Sequence, residues 1–152
     1  MKAITALGYT AKVVSLPPPE AGAAQRGSGK VLVVEETLPR DAPKFFREAI
    51  GKARAAGQPM VIDFWATWCG PCLRLKKETF EDSAVVELLK DVTFVAVDLD
   101  KFPQLGEAYS VASVPAVLLV DRRGRIIDRL QQFEPPEMFA KRIRGLLKRR
   151  KE

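Results

Sequence analysis

The chain contains two cysteines, Cys69 and Cys72, which lie three positions apart. Such a pair can be half of a metal site, a structural cross-link or a redox centre. A closed zinc site needs four Cys or His ligands, and this chain has no histidine, so only a site shared by two chains would remain. A disulfide that closes so short a loop adds little stability. The spacing therefore favours a redox pair that needs no metal and no other cofactor.

The order of the residues predicts how this pair reacts. A thiol attacks as the thiolate, and a free cysteine with a pKa of about 8.5 is only slightly ionised near neutrality. Unpaired N–H groups and the positive end of the helix dipole favour the anion where a helix begins. We therefore expect Cys69 to be the exposed nucleophile. Cys72, one turn later and inside, would resolve a mixed disulfide by intramolecular attack.

Three further residues are predicted to tune the pair. Gly70 permits a tight turn, and Pro71 suits the first helical turn because its missing N–H would be unpaired there. Asp63 falls in an apolar run typical of a buried strand, where burial disfavours the charged carboxylate and raises its pKa. Such a group can take the proton of Cys72 and return it. The alternative is a structural Asp bonded to the backbone.

The run V-I-D-F-W-A-T-W-C-G-P-C, residues 61–72, resembles the active-site strand and loop of the thioredoxin family. The similarity extends from about residue 30 to the end. It implies the α/β thioredoxin fold, with a central mixed β-sheet flanked by helices on both faces. It also implies thiol:disulfide exchange with protein disulfide or dithiol substrates, and a role for Asp63 in assisting the buried cysteine.

The resemblance also implies a substrate site beside the cysteines. Val114 and Pro115 match a cis-proline position, where the backbone of the preceding residue pairs with a substrate strand. Trp68 would form an apolar lip, while Trp65 would pack beneath the loop. The predicted substrate-binding residues are Trp68, Gly70, Pro71, Val114 and Pro115.

Two positions depart from the family pattern. Ala96 stands where typical thioredoxins have a lysine close to the buried acid, so Asp63 lacks a cation that would favour its charged form. Gln132 stands where a glycine commonly borders the substrate groove. A side chain at this position would narrow the choice of partners.

The segments 77–80 and 82–85 are similar to the soluble C-terminal domain of the bacterial transmembrane thiol:disulfide interchange reductase. That relationship implies that the protein receives electrons from an upstream reductase or a membrane donor. The Gly-Pro insert between the cysteines, by contrast, resembles that of cytoplasmic thioredoxin. We predict a reductant or interchange role, and favour the periplasm or cell envelope over the cytoplasm because the N-terminal region resembles a linker. The alternative is a non-catalytic substrate-binding or chaperone-like module.

Alternating helical and strand patterns predict the elements that position these residues. The predicted strands are 31–34, 60–65, 92–99, 116–120 and 125–130. The predicted helices are one capped by Asp41 and stopped by Gly57, then 73–80, 84–90 with Asp82 or Ser83 as its cap, 103–109 and 136–149. Strands separated by helices predict a parallel core, and the turn at 121–124 predicts an antiparallel hairpin at its edge.

Length and composition predict one compact domain. The chain has 152 residues, of which 47% are hydrophobic, enough to bury a core. Residues 1–29 are rich in proline, glycine and alanine and are interpreted as a flexible N-terminal segment or linker, with the thioredoxin-like domain over 30–152. We expect the protein to be a monomer. We also expect no stable membrane insertion, because no stretch has the roughly 20 apolar residues of a transmembrane helix.

The formal net charge is +6, and seven basic residues lie between Lys141 and Lys151. Such a cluster can contact nucleic acid, anionic lipid or an acidic partner. No aromatic residues or nucleic-acid motif accompany it, so we interpret it as the solvated face of a terminal helix and expect no nucleic-acid partner.

Overall fold

A computed structural model of the chain describes residues 32–149. The predicted linker over 1–29 therefore lies outside the described residues. The helices are α1 (Lys44–Ala56), α2 (Gly70–Arg74), a π-helix (Leu75–Phe80), α3 (Ser83–Leu89), α4 (Pro103–Ala108) and α5 (Pro136–Lys148). The strands are β1 (Met60–Trp65), β2 (Thr93–Asp98), β3 (Ala116–Val120) and β4 (Ile126–Leu130). Within this part of the chain, no helix has the length and apolar character that a membrane span requires.

The four strands form one mixed sheet in the order β2-β1-β3-β4. β1 pairs with β2 in parallel, and β3 is antiparallel to both β1 and β4. The predicted mixed sheet is confirmed, but the expectation that every helix-separated strand is parallel was wrong for β3. The connection through α4 does not return the chain to the far end of the sheet, because Ala116 at the start of β3 pairs with Phe64 near the end of β1. β3 therefore starts at the end of the sheet where β2 finished.

The predicted strand over 31–34 is also wrong in the described residues. Val33 forms only an isolated antiparallel bridge with Arg125. Directly afterwards the chain turns, because the backbone N–H and the hydroxyl of Thr37 both donate to the Val33 carbonyl, at 3.0 and 2.8 Å. This turn ends the extended run, while the Val34 side chain remains buried.

Helices cover both faces of the sheet, as predicted. On one face, here called the cysteine face, α2, the π-helix, α3 and α5 pack on the sheet in a core cluster that includes Cys69 and Cys72. On the opposite face, α1 and α4 pack on the alternate strand residues. In β1, Val61 and Trp65 point to the cysteine face, so the alternation of a strand places Asp63 on that face as well.

Local signals account for most helix ends. Gly57 ends α1 in the left-handed conformation (φ 64°), and the Asp82 side chain caps α3 by accepting from two backbone N–H groups. Asp41 does not cap α1, which begins after the extended Pro43. Its helical spacing from Phe139, Ile143 and Leu146 predicts that Met138 belongs to the apolar stripe of α5, but the Met138 side chain is 56% exposed.

Candidate active site

The cysteine pair lies where β1 passes into α2. The chain turns after Trp65, and the Cys69 N–H donates to the Ala66 carbonyl at 3.1 Å. Cys69 is the N-cap of α2, with an extended backbone (φ −92°, ψ 106°), and Pro71 occupies the first turn. The predicted helix start at the cysteine pair is therefore confirmed, but the helix predicted over 73–80 begins at Gly70 and is a π-helix from Leu75 to Phe80.

The two sulfur atoms are joined in a disulfide, with the Cα atoms 5.3 Å apart. The Cys72 N–H also points at the Cys69 Sγ, at 3.2 Å. A backbone donor in this position stabilises a thiolate on Cys69 once the disulfide opens, because it offers a hydrogen bond to the charged form. The arrangement can thus alternate between a disulfide and a dithiol with one activated sulfur.

The expected exposure of Cys69 is wrong for this disulfide form. Cys69 is 3% exposed and Cys72 is 2% exposed. The small N-cap residue turns its sulfur inward toward Cys72, into the core cluster that holds Trp65 and Leu75.

Trp68 directly precedes Cys69 and lies at the protein surface. Its side chain is 67% exposed, and its indole Nε1 donates to Asp100 Oδ2 at 3.1 Å. Asp100 follows the end of β2, which is extended by a bond from the Leu99 N–H to the Trp65 carbonyl. Sequence reasoning missed Asp100, although the ends of two adjacent parallel strands meet at one edge of a sheet.

Asp63 lies in the middle of β1 and is 1% exposed. Its neighbours in register are Ala96 on β2 and Val117 on β3. The inferred position of Ala96 beside the buried acid is thus confirmed, and the sequence T-F-V-A-V-D of β2 offers no lysine to the carboxyl group.

The Val114–Pro115 peptide bond is cis, as the resemblance implied. Pro115 is buried, and Val114 packs against the clusters on both faces of the sheet. Ala116 pairs with Phe64, so the preceding proline stands level with the end of β1, where the cysteine loop begins. The structure therefore brings these predicted residues to the same edge of the sheet as the disulfide.

The loop after β4 contains Gln132, which is exposed, and Phe133. The guanidinium of Arg74, two residues beyond Cys72, lies over the Phe133 ring at 3.8 Å from its centroid. Arg74 also makes two 3.0 Å bonds to Glu78, which raise the pKa of Arg74 and lower the pKa of Glu78. The contact between Arg74 and Phe133 joins α2 to the loop after β4, and the sequence analysis did not predict it.

Glu134 anchors the same loop from behind. Glu134 is 5% exposed, and its carboxylate accepts two hydrogen bonds from Arg142, at 3.1 and 2.6 Å. Arg142 also donates to Asp128 at 2.6 Å, and the Thr79 hydroxyl donates to the Glu134 carbonyl at 2.6 Å. The hydrogen bonds that Arg142 donates raise its pKa, and the bonds to Glu134 have a larger effect than the bond to Asp128. Arg142 is thus part of an internal network, which corrects its assignment to a solvated helix face.

Within residues 32–149, no three His, Cys, Asp or Glu side chains come together in a way that could hold a metal ion. The chemistry that the site itself offers is thiol chemistry. It consists of a disulfide at a helix start, a buried carboxyl group on the same face and a cis-proline loop beside them.

Comparison with known proteins agrees with this geometry. A family model described as Thioredoxin matches residues 39–144. Thioredoxin Y2, chloroplastic, from Arabidopsis thaliana is 34% identical over 91 residues, which are 59% of this chain and 52% of that protein. A thioredoxin from Staphylococcus aureus (strain Mu50) is 36% identical over 80 residues, which are 53% of this chain and 74% of that protein. The chain thus spans about half the length of the plant relative and about three quarters of the bacterial one.

Two solved structures share the fold. The solution structure of a thioredoxin from Thermus thermophilus has a TM-score of 0.61 at 24% identity and covers 67% of this chain and 83% of its own. The oxidised C-terminal domain of DsbD from Neisseria meningitidis has a TM-score of 0.60 at 21% identity and covers 67% of this chain and 93% of its own. Because the family model matches well over half of the sequence and the fold agrees, the chain belongs to the thioredoxin family of thiol:disulfide oxidoreductases.

Proposed function

We propose that this protein exchanges electrons with protein disulfides and dithiols, as a reductant or interchange protein, through a reversible Cys69–Cys72 disulfide. The observation that carries the proposal is the position of the pair: Cys69 caps a helix, and the Cys72 N–H points at its sulfur. A structural cross-link would gain little from this placement, whereas a nucleophilic thiol gains a stabilised anion.

In the reducing direction, the Cys69 thiolate attacks one sulfur of a substrate disulfide. The substrate S–S bond breaks, one substrate sulfur leaves as a thiolate, and a mixed disulfide with Cys69 forms. The Cys72 thiolate then attacks the Cys69 Sγ, releases the second substrate thiolate and closes the Cys69–Cys72 disulfide. Two electrons pass from the protein to the substrate, and an external dithiol must return them.

Asp63 is proposed to accept the Cys72 proton before the second attack, directly or through water. The carboxyl group supports this role by its burial and by its position on the cysteine face. Burial in general disfavours the charged form of a carboxyl group, and the proposed role of Asp63 depends on that effect.

The substrate is proposed to bind across Trp68, Gly70, Pro71, Val114 and Pro115. The first three are exposed around the buried disulfide, and the cis-proline loop ends at the same edge of the sheet, where Ala116 pairs with Phe64. A substrate strand that pairs with this backbone brings its disulfide to the cysteines, in the manner of strand addition.

The electron donor is proposed to be an upstream reductase or a membrane-bound partner, in the bacterial periplasm or cell envelope rather than in the cytoplasm. We further propose that the protein works as a monomer. The linker-like composition of residues 1–29 supports the envelope setting.

Reduction of insulin by dithiothreitol tests the proposed activity. The protein should accelerate the appearance of the insulin precipitate over dithiothreitol alone, and Cys69→Ser should abolish the acceleration. Cys72→Ser should keep the nucleophile and accumulate mixed disulfides, detectable by mass spectrometry. A wild-type protein that binds insulin without acceleration would be a binding or chaperone-like module, and a fully active Cys69→Ser variant would refute the assigned roles.

A further inference from the structure

Arg129 is a half-buried arginine that has no acidic partner in the part of the chain that the structure describes. It lies in β4 opposite Leu118, which belongs to the core of the face that α1 and α4 cover. No ion pair joins it to a carboxylate within residues 32–149, and its buried Nε has no hydrogen-bond partner there. Burial accordingly lowers the pKa of Arg129. Because desolvating a cation is costly, the contacts that Arg129 does make need an explanation.

Those contacts are with the end of α4. Arg129 Nη2 donates to the Tyr109 carbonyl at 2.9 Å, and Nη1 donates to the Ser110 carbonyl at 3.3 Å. The last carbonyls of a helix accept no hydrogen bond from an N–H group within the helix, and they lie at the negative end of the helix dipole. A cation is therefore favourable beside them. Ser110 itself has a φ of 58°, a left-handed conformation that a non-glycine residue adopts only when its surroundings hold it.

The clamped residues lead directly into the cis-proline loop. The Tyr109 hydroxyl donates to the Val34 carbonyl at 2.7 Å, and the Val111 N–H donates to the Gly106 carbonyl at 2.7 Å. At the other end of the loop, Ala116 is fixed by pairing with β1. Only residues 111–115 lie between these two anchors, so the position of Val114 depends on both of them.

We propose that Arg129 is a positioning residue that holds the end of α4 and thereby fixes the backbone of Val114 for pairing with the substrate strand. This inference rests on the proposed function, because it assigns a role in binding protein substrates. Arg129 touches neither the cysteines nor the substrate. It acts through the loop, so its loss should affect substrates that pair with the loop and spare small disulfides that do not.

The test compares Arg129→Met, which keeps a long unbranched stem but removes both donors, with Arg129→Lys, which keeps the cation. Arg144→Met, an exposed arginine of α5, is the matched control. Each pre-reduced protein is mixed with insulin or with the small aromatic disulfide DTNB, and rates are measured against substrate concentration. For Arg129→Met we expect the single-turnover second-order rate constant for insulin to fall about tenfold, mainly through a higher half-saturating insulin concentration, as when one or two backbone hydrogen bonds are lost. The DTNB rate should stay within about twofold.

Two further measurements separate positioning from general destabilisation. Hydrogen exchange should quicken selectively in peptides covering 110–115 of Arg129→Met. Ile143→Val, a core change on the cysteine face, should lower stability without altering the insulin-to-DTNB ratio. Arg129→Lys should have a higher rate with insulin than Arg129→Met. If Arg129→Met does not fold, the insulin-to-DTNB ratio is measured on Arg129→Lys alone.

An unchanged insulin-to-DTNB ratio in both Arg129 variants, with the wild type active, would overturn the inference and leave the proposed function intact. A wild-type protein that reduces neither substrate would instead refute the proposed function itself. Equal losses with both substrates would show that Arg129 supports the fold and not the loop.

Discussion

Replacing Arg142 by methionine is a direct test of how the loop after β4 is held. The guanidinium makes two bonds to the buried Glu134, at 3.1 and 2.6 Å, and one to Asp128 at 2.6 Å. Methionine keeps an unbranched apolar stem, so the change removes the charge and the donors with little loss of packing. The Glu134 carboxylate would then stay buried without its cation.

The expected loss of stability follows from the exposure of the partners. Breaking a buried ion pair costs about 3–5 kcal/mol, whereas an exposed pair contributes about 0.2–1 kcal/mol. The side chain of Glu134 is 6% exposed, but those of Arg142 and Asp128 are 28% and 39% exposed. The bonds to Glu134 therefore dominate, and the partial exposure of Arg142 reduces their contribution. We expect the free energy of unfolding to fall by about 2–4 kcal/mol.

Urea unfolding, followed by circular dichroism, measures this loss, with the exposed Arg144→Met as the control in the same helix. A double-mutant cycle with Glu134→Gln isolates the pair. Because the neutral amide that this second substitution introduces needs no cation, the double variant should be more stable than the sum of the two single losses implies. A loss below about 0.5 kcal/mol for Arg142→Met, or a cycle without coupling, would refute the reasoning that this pair anchors the loop.

Three further predictions concern the proposed reaction. Asp63→Asn should slow exchange with insulin near neutral pH while the fold is kept, and a pH–rate profile identical to that of the wild type would reject Asp63 as the proton acceptor of Cys72. Trp68→Phe should lose the bond to Asp100 at a cost of no more than about 1 kcal/mol, measured by urea unfolding, because the indole is largely exposed. Gln132→Gly should broaden substrate choice, so that the rates with a compact and an unfolded disulfide substrate become more alike; an unchanged rate ratio would contradict a role in specificity.

The residues that local chemistry determines were well predicted from the sequence. β1 and β3 have the predicted bounds, because each is a short apolar run that fits a strand buried on both faces. The Asp82 cap and the Gly57 stop follow from short-range hydrogen bonding and left-handed backbone geometry. The cis bond before Pro115 came from family resemblance, since composition alone favours trans.

What the sequence did not reveal depends on distant contacts. The burial of Cys69 depends on the core cluster that it joins, and the antiparallel direction of β3 is seen only in its pairing with β1. The bond between Trp68 and Asp100 joins residues that are 32 positions apart. Such pairings become visible only after the strand order is known, because no local pattern encodes them.

Two arginines that sequence reasoning did not assign to the interior thus hold two loops, the cis-proline loop and the loop after β4. Arg129 projects from β4 to the α4 end of the cis-proline loop, and Arg142 reaches from α5 to Glu134 in the loop that carries Gln132. In both cases a cation fixes a backbone segment through carbonyl or carboxylate oxygens, and an apolar side chain of equal length could fill the space without fixing it. The edge strand β4 therefore contributes through Arg129, which holds the cis-proline loop, and through Asp128, which binds Arg142, although none of its side chains is assigned to the chemistry. Stability and substrate selection should respond separately to the two arginines, with Arg142 dominating the first and Arg129 the second.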